Sequence, residues 1–358
     1  MRQSQPELEA TSYGTGSIPQ IAATFNYETR NIGLIRAFYG GMLFDAEWLY
    51  QTQSSGSQTN PVGWHFGVGG YYSTKLLPDE RFEDGKRVNA ESLSYSRYGF
   101  RALLVEKASW YETALFIVYG DESYDKTSRT ASNFQLPADT SLMQYGLSYV
   151  WDNRKRKKHI KRSAYSQDDG GFGYMLATYT TRKRWRDWGA DGDQFDDSEA
   201  RTDWRAAIAM GNVTTQRETE SVTVYLRGGI GGDLDRLSAF RIGGGTDYDS
   251  NPYRFRAHGY FFNEFLCNTF YGYNVDIRKQ LSQTVVAYIA YDHAFANLFD
   301  GDAFKSKASQ IRGVGGGVEY YGLFGGKLRV TSGYGMDADR EDTDSQNHEM
   351  IVAYERYF

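Results

Sequence analysis

The sequence predicts an all-β chain, a closed antiparallel transmembrane β-barrel of about 14–16 strands. Three observations predict it. Polarity alternates with period two over most of the chain, as it does in strands whose opposite faces meet different surroundings. Aromatic residues bound many of the alternating segments, as in the interfacial girdles of membrane barrels. The links between segments are mostly long after odd-numbered strands and short after even ones, the habit of a spanning meander.

Composition excludes the competing classes. Among 358 residues, Lys plus Arg is 40 and Asp plus Glu is 45, a formal net charge of −5. This leaves no excess of cations to displace the counterions of a nucleic acid, so no nucleic-acid partner is expected. The longest apolar runs, Ala114–Val118 and Val285–Ile289, fall far short of the roughly 20 residues a spanning helix needs. With 29 Tyr, 21 Phe and 7 Trp, the chain is the compositional opposite of a disordered one. A single cysteine, Cys267, forms no intramolecular disulfide. Met1–Ser17 lacks the apolar core of a signal peptide, so the numbering is that of a mature chain or the chain is not exported.

Residues 1–20 are expected to form an N-terminal periplasmic segment and residues 21–358 the barrel. Strands are expected near 21–30, 34–50, 64–75, 91–106, 110–120, 141–153, 172–182, 201–213, 219–230, 269–280, 282–294, 309–321, 325–335 and 347–358, close to the 9–11 residues of a tilted spanning strand. Trp110–Gly120 places Tyr111, Thr113, Leu115, Ile117 and Tyr119 on one face. Thr202–Met210 places Trp204, Ala206, Ile208 and Met210 together, and Ser221–Arg227 does the same with Val222, Val224 and Leu226. If 21–30 runs outward, the links 76–90, 121–140, 183–200, 231–268, 295–308 and 336–346 are the long external loops, and 107–109, 214–218, 281 and 322–324 the short turns. Links 51–63 and 154–171 are too long for this rule, and 31–33 is too short. The last strand carries Met350, Val352, Tyr354 and the terminal Phe358 on one face, like the C-terminal sorting strand of bacterial outer-membrane proteins. Arg356 interrupts that face and is placed at the interface, where its head can snorkel.

From about residue 219 the order of motifs resembles the BamA/TamA-type outer-membrane surface-antigen barrel superfamily. Phe240-Arg-Ile-Gly243-Gly244 resembles the aromatic-x-Leu-Gly-Gly start of its large loop, and His258-Gly259-Tyr260 stands where Arg-Gly-Tyr or Arg-Gly-Phe is usual. Phe262-Asn-Glu-Phe265, Asn274-Val-Asp-Ile-Arg278, Val285–Asp292, Ile311–Tyr320 and Gly326–Thr331 fit the succeeding strands in order. The resemblance implies an outer-membrane barrel that assembles or translocates other proteins. It also implies that loop 231–268 tucks into the lumen, locked by a cation against carboxylates on neighbouring strands. Candidates for this lock are Arg254, Arg256, His258, Gly259, Tyr260, Asp276 and Asp292. A histidine in the arginine position pairs with a carboxylate as a cation only when protonated, so either Arg256 substitutes from a shifted register or the lock is weaker. With about 20 residues before the first strand, the chain reads as a variant without periplasmic POTRA modules.

Other constellations point to no chemistry of their own. The five histidines, His65, His159, His258, His293 and His348, fall in five separate elements without zinc-ligand spacing, so no metal is expected. Nothing marks a catalytic triad, and no enzyme activity or cofactor is expected. Glycines at 228–232 and 315–317 precede no helix and carry no phosphate-loop Lys-Ser/Thr. They read as sites of curvature or of close approach by an inserted loop. The basic run Arg154, Lys155, Arg156, Lys157, Lys158 through Arg162 reads as a solvated turn or an anionic contact at the periplasmic headgroups. The acidic stretch Asp187–Glu199 lacks calcium-loop spacing and reads as solvated. The functional expectation is a barrel subunit of an assembly or translocation complex, with membrane lipids, lipopolysaccharide and periplasmic or outer-membrane proteins as partners. The alternative is a passive porin or small-solute channel.

Overall fold

The computed structural model describes residues 6–13, 20–27, 30–38, 41–51, 63–79, 82–83, 86–87, 91–108, 110–154, 169–189, 201–217, 219–244, 253–260, 264–300, 305–323, 326–337 and 348–357. The strands are β1 (Pro6–Tyr13), β2 (Gln20–Tyr27), β3 (Arg30–Phe38), β4 (Gly41–Gln51), β5 (Gly63–Asp79), β6 (Phe82–Glu83), β7 (Lys86–Arg87), β8 (Leu93–Lys107), β9 (Tyr111–Lys126) and β10 (Thr140–Asp152). They continue with β11 (Gly170–Arg182), β12 (Thr202–Arg217), β13 (Glu220–Gly232), β14 (Phe240–Gly243), β15 (Arg254–Arg256), β16 (Phe265–Gln280), β17 (Val285–Asp300), β18 (Lys305–Leu323), β19 (Gly326–Gly335) and β20 (His348–Tyr357). No helix among the described residues is long and apolar enough to cross a membrane.

Among the described residues eighteen strands share one sheet, and β6 with β7 makes a separate hairpin. Setting aside the short β14 and β15, each strand of the sheet pairs antiparallel with the next, and β13 passes directly to β16. At its ends β1 pairs with β2 and also with β20, from Glu7 opposite Tyr357 to Tyr13 opposite Ile351.

Strands run longer than the sequence expectation in several places, as β9 does to Lys126 and β16 does back to Phe265, and three differences change the strand count or the links. Residues 34–50 are two strands, β3 and β4, paired from Gly33 opposite Ala46 to Phe38 opposite Gly41. Gly40-Gly41 breaks an otherwise continuous apolar run. The first strand of the sheet, β1, lies inside the stretch 1–20 that reads as preceding it. Pro6–Tyr13 is short, and its alternating face, Pro6, Leu8 and Ala10, carries one large aliphatic side chain and no aromatic. These two strands account for the difference between the fourteen segments listed from sequence and the sixteen consecutive strands observed. They also make 28–29 a link on the short-turn end, which resolves the short connection near 31–33. The third difference is the hairpin of β17 and β18, which pairs as far as Asp300 opposite Lys305, so residues 301–304 alone connect them.

Strand length divides the sheet. From β5 to β18 the consecutive strands run from 13 to 19 residues, whereas β19, β20 and β1–β4 have 8 to 11. The step falls within β18, which pairs with β17 up to Lys305 but with β19 only from Gly313 opposite Gly335. On the far side, β4 reaches Thr74 of β5, while β5 and β8 pair up to Asp79 opposite Leu93.

The two faces have opposite chemistry. One exposes aliphatic and aromatic side chains such as Phe100, Leu115 and Ile289, the last 61% exposed. The other buries polar groups including Asp203, Asn274, Asp276, Asp292 and Glu319. Two apolar clusters lie on this second, inner side. One, around Phe240, Ile242, Phe255, Tyr260 and Phe270, is built by the β13–β16 connection. The other joins Leu93, Tyr124, Phe134 and Trp188.

Candidate functional site

The connection from β13 to β16 lies against the inner face. It begins with Asp233 at φ 56, a left-handed conformation that Asp tolerates better than most residues. Asp235 then folds a compact turn: its carboxylate accepts the Ser238 N–H (2.7 Å) and hydroxyl (2.6 Å), and its carbonyl accepts the Ala239 N–H (2.8 Å). This local capping directs the intervening Arg236 away from the turn. Its guanidinium, fully buried, donates to the Glu91 carboxylate and to the Glu91 carbonyl, both at 3.0 Å, and faces the Trp188 ring at 5.8 Å.

Phe240 starts β14, which pairs with β16 on one side and parallel with β15 on the other. Its ring is fully buried and meets Phe270 edge-on. Gly243 ends β14 and its carbonyl accepts the Ala257 N–H (2.9 Å). Gly244 follows, where a Cβ would strike the Glu349 carboxylate and the Tyr260 carbonyl. In β15, the Arg254 carbonyl accepts from Arg227 Nη1 (3.1 Å), and the carbonyl of the buried Arg256 accepts from Asn274 Nδ2 (3.0 Å).

The tip is held by four strands. His258, fully buried, donates its backbone N–H to Asp292 Oδ2 (2.6 Å), and its Nδ1 lies 2.5 Å from the same oxygen. Asn274 Nδ2 donates to the other carboxylate oxygen (2.7 Å). The imidazole lies over β18 at Gly315, where any Cβ would enter the ring. Gly259 has φ +79, and a Cβ there would collide with the Tyr334–Gly335 backbone of β19, so both its conformation and its space require glycine. Its N–H points to Glu349 Oε2 of β20 (3.4 Å). The Tyr260 hydroxyl donates to the Arg312 carbonyl (3.0 Å) and accepts the Asp337 N–H (3.2 Å). Beyond the end of β19, Arg312 grips Asp337 through two nitrogens and holds that carboxyl below the usual carboxylate range.

Of the residues singled out from sequence, the structure thus brings His258, Gly259 and Tyr260 together with Asp292. Neither Arg254 nor a shifted Arg256 takes the histidine's place on that carboxylate. Asp276 instead lies beside Arg278 (3.6 Å) and feels the charge of Arg256. Arg278 continues toward Glu319 (3.5 Å), which also accepts from Arg329 Nε (3.0 Å) and the Tyr321 hydroxyl (2.7 Å). Glu349, Glu91 and Arg236 were not anticipated, and Asn274 was anticipated only as the first residue of a strand motif, not as a partner of Asp292. Their partners are remote in sequence. Met350 and Val352 point outward, Tyr354 lies within β20, and Phe358 lies outside the described residues. Arg154 pairs with Asp152 and stacks on Phe172 at 4.2 Å, while Lys155, Arg156, Lys157 and Lys158 lie outside the described residues.

No protein-family profile matches the sequence, and no curated protein matches it. Solved structures do. BamA from Haemophilus ducreyi lacking POTRA domains 1–3 matches over 100% of this chain and 71% of its own, with a TM-score of 0.64 and 8% identity. CdiB from Acinetobacter baumannii matches with a TM-score of 0.56 and 13% identity, and CdiB from Escherichia coli with 0.57 and 12%, each over 100% of this chain. This chain spans 60% and 63% of those two proteins. The fold is therefore that of the BamA-type barrels.

Proposed function

We propose that this chain is a closed barrel of the bacterial outer membrane and the barrel subunit of a complex that assembles or translocates other proteins. The observation that carries this reading is the reach of the loop tip. It is held by β17 and β18 through His258 and Tyr260, and it touches β19 and β20 through Gly259. Because β20 pairs with β1, the tip contacts the strand on one side of the seam between the chain's first and last strands. A fixed pore gains nothing from such a connection, whereas a barrel that opens between its end strands needs something to hold them until a client arrives.

Strand length supports the same reading. Eight tilted residues, as in β1, rise only about 20 Å, less than the apolar band of about 25 Å expected of such barrels. A wall that short thins the bilayer beside it and lowers the barrier to inserting another strand there. The end bearing the long β13–β16 connection faces outward. The end bearing the short links 108–110, 218–219, 281–284 and 324–325 faces the periplasm, and Met350 and Val352 face lipid.

The test is purification from native membranes in mild detergent, with mass spectrometry of co-purifying proteins and single-channel recording. The reading expects stoichiometric periplasmic or membrane partners and a mostly closed barrel. A partner-free chain with steady conductance would overturn it in favour of a passive porin.

A further inference from the structure

We propose that Glu349 on β20 is a positioning residue that keeps the seam between β20 and β1 closed at its outward end, acting through the loop tip. This rests on the reading above of a barrel that opens between its end strands.

The tip lies in a trough of glycines, where two neighbouring rows of the inner face cross the sheet. One row runs Asn274, Asp292, Gly313 and Gly335 from β16 to β19. The next runs Ala290, Gly315, Gly333 and Glu349 from β17 to β20. A Cβ on Gly313 would strike the His258 backbone, and one on Gly315 the His258 ring. One on Gly333 would strike the Gly259 nitrogen, and one on Gly335 would press on the Gly259 carbonyl and the Tyr260 ring. With no side chains in the way, the backbone of the tip lies directly on β18 and β19.

A carboxylate closes each side of this trough. Asp292 stands on the β17 side and Glu349 on the β20 side, and consecutive amides of the tip meet them. The His258 N–H donates to Asp292 Oδ2 at 2.6 Å, and the Gly259 N–H reaches Glu349 Oε2 at 3.4 Å. The other Glu349 oxygen occupies the space that a Cβ on Gly244 would need, so this carboxylate meets the loop on both its inward and its outward path. The tip is thus a strap laid across β18 and β19, tight on β17 and slack on β20. Glu349 lies two residues beyond Ile351, whose partner Tyr13 ends the pairing of β1 with β20. A hydrogen bond to a charged acceptor is stronger than a neutral one. Its loss frees the outward end of β20, while Asp292 keeps the tip in place.

Hydrogen exchange of the full chain in detergent micelles, resolved to single amides by mass spectrometry, tests this because exchange follows local opening. In Glu349→Ala the amides of Gly259 and of residues 350–353 should exchange about fivefold faster than in the wild type. The His258 amide should keep its protection. Glu349→Gln retains an acceptor oxygen and should restore most of what Glu349→Ala loses. Unchanged exchange at residues 350–353 in Glu349→Ala overturns the proposal. Equal loosening of His258 overturns it too, because the residue would then support the fold rather than the seam. Failure of the assembly reading shows instead in the co-purification and conductance measurements, and leaves this exchange comparison intact.

Discussion

The long strands β5 to β18 and the short strands β19, β20 and β1–β4 are two walls of one sheet built to different ends. The long wall carries almost every buried interaction described above. On it the inner loop is held at both ends, by Arg236 to Glu91 before β8, and at the tip by His258 to Asp292 on β17 and Tyr260 to the Arg312 carbonyl of β18. The short wall has fewer residues with which to pair, and among the described residues the loop meets it through Gly244 and Gly259 beside Glu349 of β20 and through Gly259 and Tyr260 at the end of β19. The contrast teaches where stability is placed. The loop is anchored firmly on the wall that stays and lightly on the wall that the proposed mechanism must open.

The comparison can be broken most severely at Asp292. This carboxylate accepts from the His258 backbone and from Asn274, and lies against the His258 ring, all of them fully buried. Asp292→Ala leaves those donors without their acceptor, at a cost of about 3–5 kcal/mol. Urea-induced unfolding of the barrel in detergent micelles measures it. A loss of under about 1 kcal/mol would mean that the tip does not hold the loop to the long wall.

Glu91→Ala probes the other anchor. It takes from the fully buried Arg236 guanidinium its carboxylate partner and leaves the Glu91 backbone carbonyl and the face of Trp188. A loss of about 3 kcal/mol is expected. Proteolysis of the β13–β16 connection in the variant gives the site of the damage. Cutting confined to residues 233–239 sharpens the picture of two separate anchors, and cutting at the tip as well shows that they act as one.

Gly315→Ala is a smaller perturbation of the same tip. Its methyl would enter the His258 ring, and the overpacking should cost about 1–3 kcal/mol. Combining it with His258→Ala distinguishes this clash from a defect in β18 itself. With the ring removed, Gly315→Ala should cost little, and a persistent loss would show that the glycine serves the strand.

How much of this was legible in the sequence follows the same division. From Trp64 onward, alternating aromatic and aliphatic residues place strands close to where they occur, because each face meets one environment along its whole length. Pro6–Tyr13 alternates over only six residues and without aromatic or β-branched side chains on its apolar face, and Gly40-Gly41 interrupts an apolar run without changing its polarity, so β1 and the division of β3 from β4 left little local mark. At the site, His258-Gly259-Tyr260 and Asp292 stand out as motifs, and the glycines of β18 read correctly as room for an approaching loop at Gly315. Glu349 and Glu91 did not stand out, and Asn274 did so only as the first residue of a strand motif. The partners of Asn274, Glu349 and Glu91 lie 18, 90 and 145 residues away on the inner loop, and the contacts exist only once the sheet and that loop are assembled.

The smallest effect is expected where the tip meets the end of the short wall. Arg312 holds Asp337 in its ionised form, and the Asp337 N–H in turn bonds Tyr260. A carboxyl whose folded-state pKa is depressed contributes stability that is fully present above its unfolded value, near 3.9, and is lost as pH falls through the lower, folded value. The wild type should therefore lose stability between about pH 5 and pH 3 in excess of the Asp337→Asn variant, whose amide does not titrate. Because Arg312 is partly exposed, the difference should stay below about 1 kcal/mol and shrink in high salt. Parallel pH profiles of the two proteins would assign that acid sensitivity elsewhere. A large, salt-insensitive difference would instead mean that Asp337 anchors the loop as strongly as Asp292 does, and the two walls would then hold it alike.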